Sequence, residues 1–388
     1  MQKLGYPNIS IKLFEDYDAW LSNRFVELAS TFTTLTIRDG LNGKNEGRLQ
    51  FYDSKNMHTR LDGDQIIQIS VSNANTATVL TRLYATKNMT VSVDQKGDNM
   101  ITIQLTPIYK NKNLKFSRTF FPNATETIQE MIKILYLNEP LLVPKITGSN
   151  IHIPTVPWVF GISEYMEYIR DNGLSVKNDT FAFVWEDFFG IHLEDFQDII
   201  AQEPKLMVVG EPTTIGQFSQ QLEHPLVFDF QWLAKNNSYN RNPYTDATIY
   251  AYSMLDKSCT RIVNGNGNNS IMVSRSGGYA DQLYRNGYEE ATRINTMSQY
   301  DSYASCKTYG DFTITPSNKL IFADEKNQFL TPFYVDEVIH EITNETSMTT
   351  IYMFSHSKKI NDIEYPKVKN ELKFDSSAEE SNGEQQTA

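Results

Sequence analysis

Two stretches of alternating hydrophobicity, each folded back on itself by a short polar turn, most constrain what this chain can fold into. The first reads Met89 to Val93, then Asp94-Gln-Lys-Gly-Asp-Asn99, then Met100 to Leu105. Val91 and Val93 alternate with Thr90 and Ser92, and Ile101, Ile103 and Leu105 alternate with Thr102 and Gln104. Successive side chains of a strand point to opposite faces, so the pattern predicts a β-hairpin with one face buried. The second stretch runs from Phe333 to Thr343, turns at 344–347 and returns from Thr349 to Phe354. A five-residue phrase leads into each pair, Leu80-Thr-Arg-Leu-Tyr84 and Leu330-Thr-Pro-Phe-Tyr334. Together these features predict two β-domains of one kind with other material between them.

The rest of the chain divides around those hairpins. Residues 1–108 read as a first β-barrel, with strands at Ile9–Leu13, Phe32–Ile37, Arg48–Tyr52 and Ile66–Val71, a Gly-rich connection over 39–47 and a turn at 62–64. Short strands punctuated by Gly and Asp point to an antiparallel architecture. Residues 109–204 read as an α+β segment. Asn123-Ala-Thr-Glu126 has capping-box spacing, and Ile128, Met131, Ile132 and Leu135 share one helical face. A second helix is predicted over Ser163–Asp171, a buried strand over Phe181–Trp185 and a helical turn or two over Leu193–Ile200. A discontinuous second barrel takes 205–237 and 305–366. Its insertion, 238–304, holds strands at Thr248–Tyr252 and Ile271–Val273 and the longest helix, Ala280–Ala304. An arm and a disordered acidic tail end the chain at 367–388. The fold class is mainly β with α+β insertions: two similar antiparallel β-barrels plus two inserted α+β segments.

Charge and chemistry narrow the function by exclusion. The formal net charge of −12 argues against a nucleic-acid grip, which needs a basic surface. Cys259 and Cys306 form no disulfide framework, and no stretch reads as an apolar leader or membrane insertion, so cytoplasm is the expected compartment. The loop Gly265–Ser270 lacks the Lys and the βαβ setting of a phosphate loop. Ser274-Arg-Ser-Gly-Gly278 is not a nucleophile elbow. His340-Glu341 lacks a second His at metalloprotease spacing and is expected to pack, and the six histidines are scattered. Glu186-Asp187 and Glu194-Asp195 could supply paired carboxylates for glycoside hydrolysis. Neighbours on a strand face opposite ways, so neither dipeptide is itself a working pair, and the default is solvated charge. No catalytic, cofactor or metal site is read.

Longer stretches go further. Gly5-Tyr-Pro-Asn8, Tyr17-Asp-Ala-Trp20, Asn23–Ala29, Glu46-Gly-Arg-Leu-Gln-Phe-Tyr-Asp-Ser-Lys-Asn56, Ser274-Arg-Ser-Gly277, Tyr284–Ala291 and Phe333–Glu341 occur in an order that resembles the baseplate central hub protein of T-even-type contractile-tailed bacteriophages. The resemblance runs from residue 5 to about Lys373. It implies a homotrimer whose subunits each carry two barrels similar to tail-tube barrels, six barrels around a central channel. It implies partners as well: the tail tube and other central baseplate proteins on one face, a cell-puncturing lysozyme-bearing spike on the other. DNA would pass through the channel without specific binding. The two rival classes are a tail peptidoglycan hydrolase using paired carboxylates and a receptor-binding tail protein. Strands 334–342 and 349–354 are apolar on both faces, which either a neighbouring subunit or the chain's own inserted segments would cover. Ile363, Tyr365, Val368 and Leu372, beyond the last barrel strand, are the candidate spike-binding residues, with docking on the chain's own barrel as the alternative.

Overall fold

The computed structural model describes residues 6–41, 43, 45–73, 78–108, 124–135, 146–148, 151–152, 161–172, 174–175, 181–210, 225–233, 247–253, 258–263, 267, 269–273, 293, 296–297, 299–300, 302–323 and 332–356. The amino-terminal part is a rolled sheet of β1 (Asn8–Phe14), β2 (Val26–Glu27), β3 (Phe32–Gly40), β4 (Asn45–Tyr52), β5 (Ile66–Ser72), β6 (Leu80–Val93) and β7 (Asn99–Pro107). A short helix, α1 (Tyr17–Leu21), is capped by Asp16, whose carboxylate accepts from the Ala19 amide. The strands neighbour one another in the order β3-β4-β7-β6-β5-β1-β2, all antiparallel. Ile11, Leu35, Ile37, Leu49, Ile69 and Ile103 point inward and are fully buried. The Gly-rich connection is mostly strand, since β3 runs to Gly40 and β4 resumes at Asn45. Gly47 sits where β4 crosses β7, and a Cβ there would lie 2.8 Å from that of Leu105.

The first expected hairpin is β6–β7. Its turn is held by Asp94, whose carboxylate accepts from the Lys96 and Asp98 amides, and Gly97 supplies a φ of +86°. One detail departs from the period-two reading. Ile101, Ile103 and Leu105 are buried, but Val91 and Val93 are exposed. The reason lies in the neighbouring strand: β5 reaches only to Ala85, so the outer end of β6 runs past the barrel wall.

The α+β segment carries α2 (Ala124–Leu135), β8 (Ile146–Gly148), β9 (Ile151–His152), α3 (Ile162–Asn172), β10 (Leu174–Ser175), β11 (Ala182–Asp187), β12 (Gly190–Asp195) and α4 (Phe196–Ala201). Ile128, Met131, Tyr165 and Ile169 of the two longer helices pack on Val184, Ile191 and Leu193, and on Phe14 and Ala85 of the first barrel. Leu193 lies in a strand rather than in the expected helical turn. The helix begins only at Phe196 because Asp195 stops the strand and caps it, accepting from the Asp198 amide.

The carboxy-terminal part comprises β13 (Lys205–Val209), β14 (Leu226–Leu233), β15 (Ala247–Ser253), β16 (Ser258–Val263), β17 (Asn269–Val273), β18 (Ser302–Tyr309), β19 (Lys319–Ala323), β20 (Phe333–Thr343) and β21 (Ser347–Ser355). The insertion forms a three-stranded sheet, β16-β15-β17, in which β16 has no counterpart among the expected strands. Most of the expected Ala280–Ala304 helix lies outside the described residues, but its end is overturned. Arg293, Thr296 and Met297 are helical, whereas Ser302 already begins β18. There Ala304 and Cys306 alternate into the barrel core, and that burial outweighs a helical spacing. Six strands close in the order β19-β13-β14-β18-β21-β20, with β19 pairing back to β20. The barrel departs from the wholly antiparallel one expected from sequence: β13 runs parallel to both β14 and β19.

The two similar barrels share the order of five strands but not the direction of the sixth, since β1 runs antiparallel to β5 and β13 parallel to β19. Taken in chain order, β3, β4, β5, β6 and β7 occupy the same sheet positions as β14, β18, β19, β20 and β21. Each hairpin also carries a one-residue bulge in the same place. Lys87 is skipped between Thr86 and Asn88 in the ladder with β7, and Asp336 between Val335 and Glu337 in the ladder with β21. The five-residue echo is a different matter. It would set Lys87 against Glu337, one residue out of step with the bulges, so it does not mark the repeat. Residues 357–388 lie outside the described residues, and with them Ile363, Tyr365, Val368 and Leu372.

Candidate functional site: the junction of the two barrels

One strand belongs to both barrels. β20 pairs with β21 along its length and with β19 at Phe333 and Tyr334. From Glu337 onward its second edge is taken by β3, from Glu337 opposite Gly40 to Thr343 opposite Thr34. Thirteen strands thereby form a single continuous sheet. The Leu41 amide extends the ladder by donating to the Asp336 carbonyl. Across the seam Arg38 donates twice to the Glu337 carboxylate, Nε to Oε1 at 2.6 Å and Nη2 to Oε2 at 2.9 Å. That hydrogen-bonded pairing holds the guanidinium pKa above its usual value. Arg38 is over a third exposed, so the pair fixes geometry more than it adds stability.

Beneath the seam the packing is aromatic. His340 is buried, its Nδ1 lies 3.0 Å from the Thr349 hydroxyl, and its ring stacks on Phe312 at 4.6 Å. Phe312 meets Phe188 edge-on, and both enter the core of the first barrel. Asn73, just past β5, accepts from the Phe312 amide and donates to Asp311. Burial pushes the His340 imidazole down to about 4, against the pull of the Asp311 and Asp187 carboxylates and with a small push from Arg82. The folded imidazole is therefore neutral, while an unfolded one titrates near 6.5. Its contribution is complete above that value and is lost as pH falls through the window towards 4. Between pH 8 and pH 5 the loss should reach about 2 kcal/mol. Urea titrations of the wild type and of His340→Gln should show that much extra acid sensitivity in the wild type. Equal slopes would refute the assignment.

Of the paired carboxylates, Glu186, Asp187 and Asp195 are buried and Glu194 is half-buried. Asp39, Arg82 and Glu186 form a buried triad, with Arg82 Nη1 donating to Asp39 at 2.8 Å and Nε to Glu186 at 3.1 Å. Burial pushes the Asp39 carboxyl up to about 6, even though Arg82 pulls the other way. Asp187 faces the opposite side of β11, as strand alternation requires. It accepts from Trp185 Nε1 and the Phe189 amide and bonds His192 Nε2 at 2.9 Å. Asp195 is the cap of α4, and Glu194 accepts from Gln202, with its pKa raised by desolvation. The expectation of solvated charge failed because the partner Arg82 lies 104 positions upstream of Glu186. No local pattern in the sequence marks Arg82, Asn73, Phe188 or Phe312.

A shallow polar depression of about 260 Å³ is lined by Asp187, His192, Glu194, Lys205 and Asn318, among others. Burial lowers the Lys205 pKa, and its ammonium donates to the Thr313 carbonyl and to Asn318. Each of these groups is engaged by the fold itself. On the other side of β20, Tyr334 and Phe354 are covered by Tyr300, Phe196, Phe181 and Phe183. At Tyr334 the two-sided apolar strand is thus buried by the chain's own inserted segments, one of the two coverings the sequence left open.

Two family models match the chain in tandem: "Baseplate structural protein, domain 1" over residues 2–196 and "Baseplate structural protein, domain 2" over residues 199–371. No curated protein sequence matches significantly. Among solved structures, the chain is similar to a tail protein from Neisseria meningitidis MC58, with TM-score 0.54 and 10% identity over 90% of this chain and 97% of the other. It is equally similar to the 43 kDa tail protein of prophage MuSo2 from Shewanella oneidensis, with TM-score 0.54 and 10% identity over 89% and 98% of the two chains. At such identities the likeness concerns the fold.

Proposed function

The chain belongs to the phage baseplate structural protein family, and from that premise we propose that three copies close into a ring at the centre of the baseplate. One face of the ring adapts the sixfold tail tube to a threefold cell-puncturing spike, and the central opening passes DNA. The observation that carries this reading is the duplicated barrel. One chain already sets two barrels of equal strand order side by side in a single sheet, so three chains supply six similar units to a sixfold partner and three identical ones to a threefold partner. Closed rings of one subunit use heterologous contacts related by rotation. Mass photometry of the full chain, alone and with the spike protein, should give three subunits. A monomer under both conditions would exclude the ring.

The role is structural rather than enzymatic. The carboxylates that might have served a hydrolase hold Arg82, His192, the α4 amides and Gln202 instead. Purified chain should not release soluble fragments from peptidoglycan. The spike-facing contact is assigned to the arm bearing Ile363, Tyr365, Val368 and Leu372, three copies of which would rim one end of the ring. Burial of side chains of this size contributes roughly 1.5–3 kcal/mol each, so truncation before Ile360 should abolish co-purification with the spike while the ring still forms. Unchanged spike binding by the truncated ring would exclude the arm.

A further inference from the structure

Among the exposed large apolar side chains, four lie at the ends of two strands: Val91 (44% exposed) and Val93 (66%) on β6, Trp232 (53%) and Leu233 (38%) on β14. Residues 88–93 of β6 pair with β7 on one side. On the other side β5 stops opposite Ala85, and no strand among the described residues takes its place. The repeat shows what belongs there. On the equivalent strand β20, the ladder with β19 stops at Tyr334, and β3 then occupies the same edge from Glu337.

The register carries over residue by residue. Matching the bulges at Lys87 and Asp336 makes Val91 the counterpart of His340 and Val93 that of Ile342. On the receiving side, Ile37 reaches Leu105 through Gly47, and Trp232 reaches Met353 through Ala304. Leu105 and Met353 sit directly before the bulge, opposite Thr86 and Val335, so Trp232 is the counterpart of Ile37. Within the chain His340 pairs with Ile37, and both are buried. We infer that the outer end of β6 in one copy adds to the outer end of β14 in the next, antiparallel, with Val91 opposite Trp232 and Ser92 opposite Gln231. The seam between copies then repeats the seam within each chain. β13 leaves room for it, since its ladder with β14 ends at Val227. The unpaired backbone groups of an exposed strand edge are a template for such addition, and apolar side chains beside them favour its burial. The inference rests on the ring reading and specifies which surfaces close it.

A cysteine pair tests it in the full chain. Ser92→Cys and Gln231→Cys, combined with Cys259→Ser to remove the exposed native thiol, are treated with a short bismaleimide, with and without the spike protein. Directly opposed residues on antiparallel strands lie about 4.5–5.5 Å apart. The double variant should give covalent dimers and trimers on a denaturing gel, and neither single variant should. Mass photometry of the same samples before treatment separates the two ideas. Trimers that form without cross-linking overturn the seam and leave the ring standing, whereas monomers throughout overturn both. As a second measurement, Val91→Glu should shift trimer to monomer with an unchanged circular dichroism spectrum. Trimers of undiminished stability in that variant would overturn the seam.

Discussion

Arg82→Leu should destabilise the protein by about 3–5 kcal/mol, the range for removing one partner of a buried charge cluster. The substitution strands two carboxylates, Asp39 and Glu186, in a site where both are almost wholly shielded from water. The loss should appear as a large fall in the urea midpoint. The triad joins three separate parts of the chain, the end of β3, β6 and the end of β11, so its failure should loosen the first barrel from the inserted segment. Arg82→Lys should recover only part of the loss, because a single ammonium does not reproduce two N–H groups spread across a planar fork. Replacing Asp39, Arg82 and Glu186 together with apolar residues should recover more than Lys does, since it removes every stranded charge. If Arg82→Leu leaves stability within about 1 kcal/mol of the wild type, well below that range, the triad is not the clamp described.

Phe196→Ala is the second large effect expected. Phe196 is fully buried at the first turn of α4. It stacks on Phe181 at 5.2 Å and meets Tyr300 edge-on at 4.9 Å, with Phe354 of β21 beyond. Emptying that position should cost about 3–5 kcal/mol, with the cavity adding to the lost transfer free energy. This cluster is what the inserted segment lays over the outer face of β20 and β21. Limited proteolysis of the variant should therefore cut in the 181–201 region before either barrel. Cleavage beginning inside β20 or β21 instead would mean that the segment does not protect them.

The parts of this fold that a reader finds in the sequence are those set by local periodicity. The β6–β7 and β20–β21 hairpins, α2, α3 and β11 each announce themselves within a dozen residues, because a buried face imposes period two or 3.6 on the chain. The junction does not. Arg38 and Glu337 lie 299 positions apart, and neither residue type says where its partner is. The bulges at Lys87 and Asp336, which align the two barrels, leave no mark in composition, and the one sequence echo points to a register one residue away. The burial of the β11 carboxylates is hidden for a similar reason: that of Glu186 follows from Arg82 on another strand, not from its neighbours. Val91 and Val93 show the reverse case, a period-two signal that a single chain leaves uncovered.

In the proposed function, two like barrels in each subunit multiply into a ring. Averaged electron micrographs of the purified full-length protein, with and without the spike, test it most directly. A closed ring with six similar densities around an open centre, related in pairs by a threefold axis, is the expected result. Isolated two-lobed particles under both conditions would contradict it.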